Sequence, residues 1–156
     1  MEGKTIATDV IKGGCLCGAV GYRITAPYLR VAHCHCSRCR RATGAGYATN
    51  LYVPPDQFAW TAGQEFVVRH DLETANSFST TFCRKCGAPL PHHTRSGHEI
   101  VVPAGSLGQL TGLEPQGHIF WDSRAAWTIV GDELPKFTGL WEGWSSGQAP
   151  GPTEHD

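Results

Sequence analysis

The sequence predicts a mainly β protein built as a single domain. Short segments rich in β-branched and aromatic residues alternate with glycine, proline and asparagine, which is typical of antiparallel strands joined by turns. The 156 residues, 40% of them hydrophobic, are enough for one core and too few for two ordinary domains. Seven cysteines in three short clusters indicate that metal binding supports this fold.

The predicted elements follow these segments in order. Strands are expected at residues 19–25, 29–35, 46–53, 58–61, 65–71, 76–82, 90–93, 99–103, 118–121 and 127–129. One short helix is expected at residues 37–43, with Ser37 as its N-cap and Gly44 as its end. Glycine, serine and proline dominate residues 140–156, which predicts a flexible C-terminal tail. The alternative is that Trp141 and Trp144 lie over a pocket or a partner surface.

Charge and hydropathy exclude several classes of partner. A net charge of −1 gives no basic field, so no nucleic-acid partner is expected. No apolar run approaches ~20 residues, so no membrane partner is expected either. Residues 1–12 are polar and do not resemble a signal peptide. The protein is therefore expected to be soluble and cytoplasmic, where clustered cysteines indicate metal binding or catalysis. The oligomeric state is left open.

The first and last cysteine clusters together predict a closed zinc site. Cys15 and Cys17 lie two apart, so in an extended segment their thiols project to one face. Cys83 and Cys86 have the spacing of a zinc knuckle, and Gly87 suits a turn with positive φ. Four cysteines complete the coordination of a structural zinc. A disulfide framework is disfavoured by the odd number of cysteines and by the poor geometry of neighbouring thiols.

The middle cluster supplies three further thiols on one short segment. Cys34 and Cys36 face the same way in an extended strand, His33 and His35 face the other way, and Cys39 returns towards the first two after a turn. Three protein ligands predict a second zinc, with the open position typical of catalytic sites. A histidine could instead close the site, the candidates being His92, His93, His98 and His118. A different grouping, Cys36 and Cys39 with Cys83 and Cys86, is also chemically possible.

Three thiolates around Zn²⁺ would favour a soft incoming ligand such as a thiol. Arg38, Arg40 and Arg41 beside this cluster, and Arg84 and Lys85 in the knuckle, could receive the carboxylates of an acidic thiol such as glutathione or could simply form a solvated rim. A thiol placed against an aldehyde needs an acid for the developing alkoxide. His92 and His93 are the weak candidates for that catalytic role.

Several ordered motifs resemble the glutathione-dependent formaldehyde-activating enzyme family, which includes centromere-protein-V-like proteins. The matching runs are GGCLCGAVGY at residues 13–22, HCHCSRCRRATG at 33–44 and FCRKCG at 82–87. Later blocks are similar as well: VPAGSL at 102–107, HIFW at 118–121, and AW at 126–127 through LPKF at 134–137. The resemblance covers about residues 13–139, which we expect to be the zinc-binding domain.

The resemblance implies a β-tent fold of antiparallel sheets and two zinc ions per chain. It places a structural zinc on Cys15, Cys17, Cys83 and Cys86 and a second, catalytic zinc on Cys34, Cys36 and Cys39. The implied activity is that of a carbon–sulfur lyase that joins formaldehyde to glutathione, forming or breaking an S-hydroxymethyl adduct. The alternatives are a non-catalytic thiol carrier stabilised by zinc and a module that binds a macromolecule.

Overall fold

The computed structural model describes residues 10–27, 30–108 and 112–151. Within these residues the chain forms ten strands: β1 (Val10–Gly14), β2 (Gly21–Thr25), β3 (Arg30–Cys34), β4 (Ala48–Val53), β5 (Phe58–Ala62), β6 (Val67–Asp71), β7 (Ser79–Cys83), β8 (His92–His93), β9 (Ile100–Pro103) and β10 (Gly117–Ile119). The one α-helix of this part of the chain is α1 (Ser37–Thr43). The prediction of a mainly β domain with little helix is therefore confirmed.

The strands form three sheets. A three-stranded sheet has the order β1-β2-β5, a five-stranded sheet has the order β10-β3-β4-β9-β8, and β6 pairs with β7. The pairs are antiparallel, as predicted, except that β10 runs parallel to β3. Because β10 and β3 are far apart in sequence, this pairing brings residues from the last third of the chain beside the middle cysteine cluster.

The main core lies between the three-stranded and the five-stranded sheets. Ile11, Tyr22 and Ile24 from the first sheet pack with residues of the second, including Leu51 and Val102. Side chains alternate along a strand, so each strand of the five-stranded sheet also presents a second face. On β3 the core side holds Val31, and the reverse side holds Ala32 and Cys34.

The C-terminal segment covers that reverse face. Trp141 and Trp144 are 3% and 9% exposed and pack with Cys34 and Ile119. The expectation of a flexible tail from residue 140 therefore does not hold for this stretch, and the two tryptophans cover the face that carries the middle cysteine cluster. Residues 152–156 of the expected tail lie outside the described residues.

A buried arginine fixes this segment in place. Arg30 is 1% exposed, and its guanidinium donates hydrogen bonds to the carbonyl oxygen of Trp144 and the carboxylate of Glu99. It also lies 4.3 Å from the ring centre of Trp144 and 5.0 Å from that of Tyr52. A buried charge needs such partners. The Arg30 guanidinium therefore holds the glycine-rich and serine-rich C-terminal segment against the sheet.

One predicted strand is absent from the structure, and one observed strand was not predicted. Residues 127–129 form no strand, and Trp127 and Ile129 are 71% and 93% exposed. The segment that runs beside β10 is instead the one containing Pro135 and Phe137, whose backbone groups are hydrogen-bonded to His118. Strand β1 was not predicted, because Lys12, Gly13 and Gly14 lack the side chains typical of strands. Residue 29, the start of one predicted strand, lies outside the described residues.

The helix has the predicted bounds, but its N-cap is different. Residue 36, not Ser37, caps α1, and the sulfur of Cys36 accepts a hydrogen bond from the Cys39 amide at 3.3 Å. Gly44 ends the helix with a φ of 69° in the left-handed region, as its glycine identity indicates.

Candidate metal centres and cleft

The structure brings four cysteines together between two loops. The sulfur atoms of four cysteines all lie within 4.8 Å of one another: Cys15, Cys17, Cys83 and Cys86. The first two follow β1, and the other two stand at the end of β7 and in the turn after it. Sulfur-to-sulfur distances are 3.6 Å for Cys15–Cys17 and 4.0 Å for Cys17–Cys83. This group, called the four-thiol cluster below, could hold a metal ion.

The backbone around the four-thiol cluster is shaped to support it. Gly87 has a φ of 77°, as predicted, and its amide donates to the Cys83 carbonyl at 2.7 Å. The Val20 amide donates to the Cys15 sulfur at 3.3 Å. Burial raises the pKa of the Cys15 thiol, but this amide and the neighbouring thiols outweigh it and lower the pKa to about 6. A lowered thiol pKa favours the deprotonated form that binds metals.

Three cysteines form a second group around the start of α1. The sulfurs of Cys34, Cys36 and Cys39 lie within 4.8 Å of one another. Cys34 ends β3, Cys36 caps the helix and Cys39 lies in its first turn. This group, called the tripod below, also could hold a metal ion. The alternative grouping of Cys36 and Cys39 with Cys83 and Cys86 is not observed.

The tripod thiols share their protons unequally. Hydrogen bonds from the Cys34 and Cys39 thiols lower the pKa of Cys36. The contact with Cys36 raises the pKa of Cys34 to about 12, and contacts with both neighbours raise the pKa of Cys39. One thiolate is thus stabilised by two neutral thiols. A metal cation would replace those protons and hold all three sulfurs as thiolates.

No histidine joins the tripod among the described residues. His92 and His98 lie along the wall of the adjacent cleft, while His93 is exposed and does not line it. His118 is elsewhere: it groups with His33 and Asp132 on the other face of β3. The hypothesis that His118 completes the tripod is therefore wrong, and strand alternation explains why, since His118 pairs in register with His33 rather than with Cys34.

The tripod opens on a large cleft of about 1360 Å³. Its wall near the tripod is formed by Tyr52, Ile119 and Trp144, and Arg38 and Arg95 also line it. Arg40 and Arg41, which the sequence offered as anion-binding residues, do not line the cleft. Arg84 and Lys85 lie over the ring of Phe66, beside the four-thiol cluster. Of the sequence-predicted cations, Arg38 alone therefore lines the cleft.

Tyr52 is a cleft residue that the sequence did not single out. It packs with the tripod cysteines, and its ring meets that of Trp144 edge to face at 4.9 Å between centroids. Burial, followed by the charges of Cys34 and Cys39, raises its pKa well above the ordinary value. The hydroxyl therefore keeps its proton at neutral pH. Nothing in the local sequence distinguishes this tyrosine, because its position depends on the pairing of β3 with β4.

Residues 10–123 match the family model described as glutathione-dependent formaldehyde-activating enzyme. The chain belongs to this family. Both cysteine clusters lie inside the matched residues, whereas Asp132, Trp141 and Trp144 lie beyond them. The family assignment therefore covers the tripod and the four-thiol cluster and does not extend to the C-terminal wall of the cleft.

The chain is also similar to two individual proteins. A Halomonas elongata protein, provisionally named a glutathione-dependent formaldehyde-activating enzyme, is 29% identical over 128 residues, covering 78% of this chain and 81% of its own. A crystal structure of a Rhodobacter sphaeroides protein has a TM-score of 0.52 with 27% identity, covering 80% of this chain and 98% of that one.

The described part of the chain contains no helix with the length and hydrophobicity that crossing a lipid bilayer would take.

Proposed function

We propose that this protein binds glutathione at the tripod and joins it to formaldehyde, with one zinc ion in each cysteine cluster. The observation that carries the proposal is that a group of three thiols, with no fourth ligand among the described residues, opens on a cleft. Three protein ligands are typical of a zinc that takes part in a reaction, and four are typical of a structural zinc. Membership of the glutathione-dependent formaldehyde-activating enzyme family supports the choice of substrates.

The donor sets suit zinc at both clusters. Thiolate sulfur is a soft ligand that selects zinc over magnesium, calcium or manganese. Cys15, Cys17, Cys83 and Cys86 would hold the structural ion, and Cys34, Cys36 and Cys39 would hold the other. At the tripod, zinc would supply a positive charge that favours the deprotonated form of an incoming thiol.

The addition of the thiol to the aldehyde forms one carbon–sulfur bond and transfers one proton. The thiol sulfur attacks the aldehyde carbon, the carbon–oxygen π bond breaks, and the oxygen takes up a proton as it becomes a hydroxyl. The thiol loses one proton and the product hydroxyl gains one, so the addition is balanced without an oxidant or reductant. The chain has to hold the two reactants together and to provide a proton donor near the oxygen.

Tyr52 is our candidate for the proton donor in the cleft. Its hydroxyl is protonated at neutral pH, and the residue packs against the tripod cysteines. His92 lines the same cleft, but burial, followed by the charge of Arg69, lowers its pKa to about 4. At neutral pH His92 is therefore uncharged and carries no imidazolium proton to donate. His93, exposed and outside the cleft lining, is less suited still.

The cleft also suits the size and charge of glutathione. Small-molecule sites enclose ~300 to 1,000 Å³, so a cleft of about 1360 Å³ accommodates a tripeptide together with an aldehyde. Arg38 and Arg95 line the cleft and carry the guanidinium groups that pair with carboxylates. Ile119 and Trp144 form an apolar wall beside the tripod.

The test is the rate of S-hydroxymethylglutathione formation above the spontaneous rate, measured together with glutathione binding. Cys39→Ala should abolish both. Tyr52→Phe should lower kcat/KM by about 100-fold while glutathione still binds, since general acids contribute ~10²–10⁴-fold. If His92→Gln causes that loss and Tyr52→Phe does not, His92 is the proton donor. Binding without turnover in the unaltered protein would make it a thiol carrier and contradict the enzymatic proposal.

A further inference from the structure

A second group of metal-binding side chains lies on the reverse face of β3 from the tripod. One ring nitrogen from each of His33 and His118 and a carboxylate oxygen of Asp132 lie within 4.8 Å of one another. His33 is adjacent in sequence to Cys34, so strand alternation sends its side chain to the opposite side from the thiol. The family match, which ends at residue 123, includes the two histidines but not Asp132, and the reaction proposed above gives this group no role.

Backbone pairing places the two histidines of this group on neighbouring strands. His118 of β10 stands in register with His33 of β3, and His33 stands in register with Thr49 of β4. The side chains of His118, His33 and Thr49 therefore form a row across the sheet. A loop supplies Asp132 at the His118 end of that row. Sites built on paired strands are held more rigidly than sites on loops alone.

One ring nitrogen of each histidine is hydrogen-bonded to a residue outside the group. His33 Nδ1 is 2.7 Å from the Thr49 hydroxyl, and His118 Nδ1 is 2.8 Å from His35 Nε2. Metal-bound histidines usually engage their second ring nitrogen in this way, which fixes the tautomer and the ring orientation. His118 Nε2 then faces both Asp132 oxygens, at 3.0 and 3.1 Å, and His33 Nε2 has no hydrogen-bond partner among the described residues.

Aromatic residues hold both imidazole rings. The ring of Tyr47 lies 4.8 Å from that of His33 and 5.9 Å from that of His118, and the ring of Trp121 lies 5.3 Å from that of His118. His118 is fully buried, whereas the Asp132 side chain is 35% exposed. The group is thus packed on one side and open to solvent at the carboxylate, through which an ion could enter.

A hydrogen-bonded chain without an ion explains only part of this arrangement. Asp132 could accept a proton from His118 Nε2, and His35 Nε2 could donate to His118 Nδ1. That chain gives no role to His33, whose ring nevertheless lies 4.9 Å from that of His118 with one nitrogen held by Thr49. A cation shared by His33, His118 and Asp132 accounts for all three side chains.

We propose that His33, His118 and Asp132 form a third metal site, which binds a divalent first-row transition metal such as Zn²⁺ or Co²⁺. Two imidazoles and one carboxylate are a recognised donor set for zinc and iron sites, and three protein ligands leave a further coordination position open. With neutral imidazoles the bound ion carries a net charge of +1, whereas three thiolates give −1. This site is therefore the better match for a hard ligand such as a carboxylate or hydroxide, and it does not depend on the thiol chemistry of the tripod.

The experiment is a calorimetric titration with Co²⁺ alone of the full-length protein prepared with two equivalents of zinc, one for each cysteine cluster, followed in parallel by absorption spectroscopy. We expect one further equivalent to bind without the intense near-ultraviolet band of cobalt–thiolate bonds. His33→Asn and Asp132→Asn should each weaken this binding by more than about 100-fold. Thr49→Val, which removes only the hydroxyl beside His33, should weaken it by ~10- to 100-fold, as loss of an outer partner does.

The matched control is His70→Asn, which changes an exposed histidine on β6 and should leave the third equivalent unaffected. Metal binding is measured directly, so the result is independent of whether the protein acts on glutathione. The proposal is overturned if no further Co²⁺ binds, if the added Co²⁺ shows the thiolate band, or if it binds equally well to His33→Asn and Asp132→Asn. In each of these outcomes His118 and Asp132 serve only as a hydrogen-bonded pair.

Discussion

The two cysteine clusters differ in how much of the chain each one joins. The four-thiol cluster connects the segment after β1 with the end of β7, so its ligands come from opposite parts of the domain. The tripod takes all its thiols from the end of β3 and the first turn of α1. A metal held by distant segments contributes to folding, because the site exists only when the chain is folded. A metal held by one local segment leaves the fold largely independent of it.

The two cysteine clusters also differ in what surrounds them. The four-thiol cluster packs against the small core of Val20 and Leu90, and none of its four cysteines lines the cleft. The tripod packs against Ile119 and the two C-terminal tryptophans and opens on the cleft. This comparison supports our proposal that the four-thiol cluster is structural and that the tripod binds a ligand.

Removing a thiol from each cluster tests this difference most strongly. Cys83→Ser should prevent stable folding, because a structural zinc supplies ~10–16 kcal/mol, as much as the ~5–15 kcal/mol stability of a whole domain. Cys36→Ser should cost no more than about 2 kcal/mol, because serine is itself a good N-cap for α1. Thermal melts of both variants give the comparison. The reverse order of stability would mean that the structural and functional clusters are exchanged.

Removing a tryptophan tests whether packing, rather than metal, secures the tripod face. Trp144→Ala should destabilise the protein by about 3 kcal/mol, since large buried side chains cost ~3–5 kcal/mol when truncated and Arg30 would lose its aromatic partner. Trp127→Ala, at a side chain that is 71% exposed, is the matched control and should cost under about 0.5 kcal/mol. Urea denaturation measures both. Equal effects would show that the C-terminal segment does not support this face.

The order of metal release tests the difference between the two clusters independently, although the expected effect is smaller. With a moderate chelator, the tripod metal should leave first, with little change in circular dichroism, because three ligands hold it and solvent reaches it through the cleft. The metal of the four-thiol cluster should leave later, together with loss of structure. Metal content measured over time, beside the spectrum, checks this order. Simultaneous release of both metals would contradict the division of roles.

Local sequence predicted the elements whose signals are local. The predicted bounds of α1 rested on Ser37 at its start and Gly44 after its end, and the cysteine spacings indicated which thiols could share an ion. The N-cap was assigned one residue too late, because a cysteine sulfur took the place that serine usually fills. Short-range patterns therefore determine the thiol groups and the helix that carries the tripod.

Non-local pairing explains what the sequence could not reveal. The parallel pairing of β10 with β3 brings His118 beside His33, and no spacing rule connects those two residues. Burial of Trp141 and Trp144 depends on Arg30, which needs partners inside the domain, whereas their own neighbours are glycine and serine. Tyr52 reaches the tripod only because β4 lies beside β3. These contacts depend on tertiary structure rather than on residue pattern.

The most direct test of the division between the two clusters is the visible spectrum of the cobalt-substituted protein during a titration with glutathione. A thiol that joins an open tripod changes the cobalt–thiolate bands, while a closed four-thiol cluster gives no response. We expect a saturable change in the intact protein and none in Cys39→Ala, whose thermal melt should remain close to that of the unaltered protein. A spectrum that does not respond to glutathione, or a response that persists in Cys39→Ala, would contradict the assignment of the tripod as the functional site.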